Sequence, residues 1–198
     1  NLTVIDPPSF PFTHFLFDTV RMLAFTLEEL GQQVSVTQNR LEDGCLNVLI
    51  GVHLLDDAKH VEEIIDSGKP FVVLQTEMVH GRTINRQASN RVDRVILPLC
   101  RAARAVWDSS PENIAALASL GIHAELLVFA YQPRLKEIAL KAERDIDFFW
   151  YGSVTEHRRK ILTELDRLGY KVAVSLDAPP LFRNDLIARS EIVLTLRH

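Results

Sequence analysis

Three stretches carry side chains whose type and spacing suit chemistry. In "PFTHFLF", His14 follows a short apolar run and the pair Pro7-Pro8. An imidazole titrates near neutral pH, so His14 is placed to take a proton from a hydroxyl; the plain alternative is a histidine bonded to backbone at a helix start. In "FVVLQTEMVH", Gln75, Thr76, Glu77 and His80 follow an apolar run. A carboxylate and an imidazole just beyond a buried strand can orient a polar ligand or accept its proton, with Gln75 and Thr76 adding hydrogen bonds; otherwise the stretch is a solvated loop. In "WYGSVTEHRRK", a glycine stands between an apolar run and a charged amphipathic one. Gly152 would let backbone approach a phosphate, and the N–H groups of the next helix would face the anion, helped by the helix dipole. Ser153 and Thr155 add hydroxyls, and Arg158 and Arg159 could pair with a diphosphate. One glycine specifies less than G-x-G-x-x-G, and a strand–helix turn with solvated arginines would read the same way.

Other candidates are weaker. His53 follows "VLIG" among apolar neighbours and reads as a core or rim histidine. Asp108, between Trp107 and Ser109, either contacts a ligand or caps the helix that follows. Tyr131 ends the last apolar run of the first half. No HExxH, DxD or Cys/His cluster is present, so no bound metal is expected.

The elements that must position these residues alternate. "NLTVID" reads as a strand stopped by Pro7-Pro8, and "PFTHFLFDTVRMLAFTLEELG" as a helix with Phe15, Val20, Leu23, Ala24, Leu27 and Leu30 on one face, closed by Gly31. "QQVSVTQ" alternates like a strand, and "LNVLIGVHLL" and "KPFVVLQTE" are apolar enough for strands buried on both faces. "AKHVEEIIDSG" is a short helix. The stretch after Val79 gives no clear signal, and helix or mixed structure follows from Val92 to Arg104. "RAVWDSS" is a strand, "SPENIAALASLG" a helix with Ser110 as cap and Pro111 in its first turn, and "IHAELLVFAY" a strand. "QPRLKEIALKAERDI" breaks the rhythm. The alternation then restarts with "IDFFWYGS", "TEHRRKILTELDRLG", "YKVAVSL", "PLFRNDLIARS" and "EIVLTLRH".

This order predicts an α/β chain with two Rossmann-like, doubly wound parallel-sheet domains. Residues 1–131 form the first, 132–144 a linker, and 145–198 the start of the second. The second is short for such a domain and stops on an apparent buried strand, so it is expected to be incomplete.

Bulk properties bound the function. The chain has 198 residues, 47% hydrophobic and 24% charged, with net charge −4. No basic surplus exists to neutralise a nucleic-acid backbone, so general nucleic-acid binding is not expected. Two cysteines without CxxC spacing argue against a disulfide framework and for reduced thiols in a cytoplasm. No apolar run reaches transmembrane length, and no signal peptide opens the sequence.

The order "VWDSSPENIAALASLGI", "FAYQPRL", "RDIDFFWYGSVTEHRRKILTELDRLGYKVAVSL" and "DLIARSEIVLTLRH" resembles a family of bacterial GT-B glycosyltransferases over roughly residues 70 to 198. In that family a Trp-Asp-Tyr/Ser-x-x-Asn segment ends the N-terminal domain and a "D-hydrophobic-YGS/N…RR…L…L…G" unit opens the C-terminal one. Here "LQTEM" stands where "YNLEQ" is usual, and "LTLRH" where "LNLH" is. The resemblance implies metal-independent transfer of a sugar from a nucleotide-diphosphate sugar, a co-substrate rather than a bound cofactor, to a hydroxyl or amine of a small-molecule, glycan or natural-product acceptor. It implies acceptor contacts in the first domain (Thr76, His80, Asp108, Tyr131), donor contacts in the second (Gly152, Ser153, Thr155, Arg158, Arg159), and His14 or Glu77 as the base in the cleft between them. The family's acidic donor-ribose contact and Gly-rich phosphate segment lie further on than this sequence reaches. Alternatives on the same architecture are a nucleotide-sugar epimerase or hydrolase, and a non-catalytic nucleotide-binding or partner protein.

Overall fold

The computed structural model describes residues 1–10, 13–55, 57–84 and 91–196. The chain forms two compact units, Asn1–Pro11 with Thr19–Gln132, and Phe12–Asp18 with Pro133–His198.

The first unit opens with β1 (Leu2–Val4) and takes most of α1 (Phe17–Glu29); the first two residues of α1 and the 3₁₀ turn before them, His14–Leu16, belong to the second unit. Next come β2 (Val36–Gln38), β3 (Asn47–Ile50), α2 (Ala58–Asp66) and β4 (Phe71–Gln75). A small antiparallel hairpin, β5 (Val79–His80) and β6 (Thr83–Ile84), occupies part of the stretch that gives no sequence signal. A π-helical turn over Val92–Ile96 leads into α3 (Leu97–Ala102), then β7 (Val106–Asp108), α4 (Pro111–Ser119) and β8 (Glu125–Leu126).

Six strands form one parallel sheet in the order β2-β1-β3-β4-β7-β8. The chain steps from β1 to β2 in one direction and from β3 onward in the other, so the order reverses between β1 and β3. Right-handed crossovers running in opposite directions place α1 and α2 on opposite faces. The continuous apolar runs become the central strands: every residue of β3 and β4 is buried, as strands covered on both faces require.

Capping follows the sequence signals. Ser110 accepts from the Asn113 N–H at the start of α4, and Pro111 takes the first helical position. In α1, Val20, Leu23 and Ala24 are buried, but Phe15 and Leu30, expected on the same stripe, are exposed. Phe15 lies in the 3₁₀ turn, ahead of the 3.6-residue period, and Leu30 lies beyond the last helical residue.

The expected strand "IHAELLVFAY" shrinks to Glu125–Leu126, and Val128, Phe129 and Tyr131 stand exposed. β8 is the sheet edge, paired only with β7, so its apolar run has one neighbour and little to bury against.

In the second unit β9 (Ile146–Tyr151) is the central strand of a parallel sheet ordered β10-β9-β11, with β10 at Val172–Ser175 and β11 at Ser190–Val193. α5 (Glu156–Arg167) joins β9 to β10, and α6 (Pro180–Arg189) joins β10 to β11. β9 carries the core of this unit, with Ile146, Phe149 and Trp150 buried. The last strand, expected to be buried through "EIVLTLRH", ends at Val193 with Glu191, Ile192 and Val193 exposed, because β11 is also an edge. Arg197 and His198 lie outside the described residues.

Candidate functional site

β9 and β10 run side by side, with Tyr151 opposite Ser175, so the residues just after them meet at one edge of the sheet. Gly152 leaves β9 with φ +120 and donates its N–H to the Ser175 carbonyl at 2.8 Å. That dihedral lies where a Cβ is strained, which accounts for glycine at this position. Two residues past β10 is Asp177. At open α/β sheets this carboxyl-end edge is where ligands bind.

Five charged or titratable side chains converge there. His14 Nδ1 lies 2.7 Å from Asp177 Oδ2; the imidazole is one-third exposed and the carboxylate almost fully covered. A neutral imidazole whose Nδ1–H faces a carboxylate carries its lone pair on Nε2. Phe17 packs edge-on against the His14 ring at 5.1 Å and helps fix its plane. One turn further on, Asp18 accepts from both terminal nitrogens of Arg183, with Nη2 3.1 Å from Oδ1. Arg183 is also held by Asn184 Oδ1 and lies over the Tyr151 ring, 5.5 Å from its centroid. Burial raises the Tyr151 phenol, the Asp177 charge raises it further, and Arg183 works against both. His14, in the 3₁₀ turn, and Asp18, in the first turn of α1, therefore address Asp177 and Arg183 together.

The other residues of the "WYGSVTEHRRK" stretch are mostly engaged in holding the loop. Thr155 is the N-cap of α5 and accepts from the Arg158 N–H. The Arg158 guanidinium donates to the Ser153 carbonyl, the Ser153 hydroxyl and the Leu196 carbonyl, and lies over the Trp150 ring at 4.6 Å. It is a buried brace. Ser153 and Arg159 are exposed, and Arg159 sits near Glu156.

The residues expected after β4 and β7 lie in the first unit. Glu77 Oε1 is 3.5 Å from His53 Nε2, and Arg91 donates to the His53 carbonyl at 2.7 Å. Burial holds the His53 imidazole below its ordinary value; Glu77 partly offsets this and Arg91 adds to it. Thr76 Oγ1 is buried, while His80 is exposed in the β5–β6 hairpin. Asp108 is fully buried, accepting from the Ser110 N–H and from Asn113 Nδ2. Burial raises its carboxyl in spite of these bonds. Tyr131 is exposed. His14 thus shares a unit with the Gly152–Arg159 stretch, and Glu77, His80 and Asp108 share the other.

Comparison with family models, curated proteins and solved structures gives no match. The reading of the site therefore rests on its own geometry. Among the described residues no group of three or more His, Cys, Asp or Glu side chains is arranged to hold a metal ion. No helix among them is long and apolar enough to cross a membrane. Asp177, Asp18, Tyr151 and Arg183 are the members of the cluster that sequence reasoning passes over. Asp177 carried a usable signal: in "VAVSLDAPP" it is the first acidic residue beyond a strand, the same position that singles out Glu77 in its own stretch.

Proposed function

We propose that this chain is a glycosyltransferase of the two-domain, metal-independent type, in which His14 is the base that activates the acceptor. The observation that carries the reading is the 2.7 Å His14–Asp177 pair at the carboxyl ends of β9 and β10. The parallel α/β construction of both units agrees with it, as does a glycine turn leading into a helix N-terminus directly after β9.

The chemistry follows from the pair. Asp177 holds the Nδ1–H, so His14 Nε2 accepts the proton of an acceptor hydroxyl or amine as that atom attacks the sugar's anomeric carbon. The new glycosidic bond forms while the bond from that carbon to the diphosphate breaks, and the electron pair leaves with the nucleoside diphosphate. The covered Asp177 carboxylate stabilises the imidazolium that results. The leaving diphosphate is met by the backbone N–H groups in the first turn of α5, with Ser153 and Arg159 at its surface. Arg158 keeps that loop in shape.

Incubating the protein with a panel of uridine, guanosine and thymidine diphosphate sugars and mixed hydroxyl and amine acceptors tests the reading. Mass spectrometry should find an acceptor heavier by one sugar residue, together with free nucleoside diphosphate. Interconversion of donor sugars without acceptor, or no change in any donor, contradicts it.

A further inference from the structure

The first unit holds a cavity unconnected with the His14–Asp177 chemistry. Parallel neighbours in a sheet need a crossover that runs back along one face, and a helix usually serves. Between β2 and β3 no helix forms. Residues 39–46 run back as bare loop, and the Arg40 carbonyl accepts from the Thr3 hydroxyl of β1 at 3.2 Å. A loop is thinner than a helix, so a trough remains between it and α2.

The trough has a cavity volume of about 450 Å³, within the range of small-molecule sites. Thr3, Ile5 and Leu49, all buried, lie beneath it, and Thr3 and Leu49 are register partners on one face of the sheet; Pro7, Leu41 and Ile64 are the half-buried apolar residues of its lining. His60, Glu63 and Ile64 line it from α2 at helical spacing. Pro7, Pro8 and Leu55 close the end where β1 and β3 finish, the place where the strand order reverses. Open α/β sheets bind ligands at that point.

Two further observations indicate the kind of ligand. Arg40, His60 and Lys69 line the trough against a single acid, Glu63. Exposed Arg40 pairs with half-buried Glu42, and Lys69 with exposed Asp43 and the Leu41 carbonyl; ion pairs this open to water are weak enough for a ligand anion to compete with them. Arg40 is also set in place by strain. Asn39 before it has φ 51, the one non-glycine residue with positive φ among those described. It is locked there by bonds between its side chain and the backbone of Asp6 and from its N–H to the Val4 carbonyl. Strained backbone of this kind clusters at ligand sites.

We propose that this trough binds an elongated, largely apolar small molecule bearing one anionic group, its ring system on Pro7, Leu41 and Ile64 and its anion at Arg40, His60 and Lys69. The test is fluorescence titration with 1-anilinonaphthalene-8-sulfonate, and with its neutral relative N-phenyl-1-naphthylamine. Expected is one saturable sulfonate site per chain, with the neutral dye at least about tenfold weaker. Ile64→Trp, which fills the trough, should abolish binding. Arg40→Glu and His60→Glu, which alter charge without filling space, should each weaken the sulfonate about fivefold and leave the neutral dye unchanged. Absence of a saturable site, or sulfonate binding that survives both Ile64→Trp and Arg40→Glu, overturns the site. Equal affinity for the two dyes overturns its anionic character. None of these outcomes depends on sugar transfer.

Discussion

Asn113 is buried, and both ends of its amide are in use. Its Oδ1 accepts from the Val79 N–H at 2.9 Å, while Nδ2 donates to the Glu77 carbonyl and to both oxygens of Asp108. One helical side chain thereby ties together the ends of β4 and β7 and the start of the β5–β6 hairpin. Asn113→Ala strands the Val79 N–H and leaves the buried Asp108 carboxylate without its side-chain donor. It should cost about 3 kcal/mol in urea unfolding, well above the cost of an ordinary surface substitution. His53 gives a pH-dependent counterpart. Its imidazole is held below the ordinary value by burial, with Glu77 opposing and Arg91 assisting, so the folded protein favours the neutral ring. The unfolded chain takes up the proton first. Stability from this residue is therefore complete above about pH 6.5 and is lost as pH falls from there through the lowered folded-state value. The wild type should lose more stability than His53→Gln between about pH 7.5 and 5.5, measured by urea midpoints; parallel curves would contradict this account of His53.

Elements were legible where they carry their own punctuation. α4 has its cap, its proline and its terminating glycine in sequence, and forms where those signals put it. α5 is similar, with Thr155 before it and Gly169 after it. Thr155→Ala removes the cap and should lower stability by about 1 kcal/mol, whereas Thr155→Ser should keep most of it, as followed by denaturant melts. A double loss, or none, would mean that Arg158 rather than the cap governs this helix start. Strand ends were less legible. "IHAELLVFAY" and "KPFVVLQTE" look alike as apolar runs, yet one is a two-residue edge and the other a five-residue central strand. The difference lies in how many neighbours each acquires in the sheet, which local sequence does not encode.

At the scale of the molecule, the alternation of strands and helices announced parallel α/β architecture, but not the strand order or the partners of His14. His14 and Asp177 are 163 residues apart, and Asp18 and Arg183 are 165 apart. Pairings at that distance arise from topology alone. Sequence reasoning offered His14 or Glu77 as the base and left Asp177 unnoticed, since an acid after a strand is common and only the fold shows which one meets the His14 ring. The same fold turns Arg158, a candidate anion ligand by type, into a loop brace. The measurement that bears most directly on the account is the rate of nucleoside-diphosphate release from nucleotide sugars in the presence of acceptor, compared between wild type and His14→Ala. The account predicts measurable acceptor-dependent release by the wild type and a fall of about 100-fold in His14→Ala. No release by the wild type, or an undiminished rate in the variant, contradicts it.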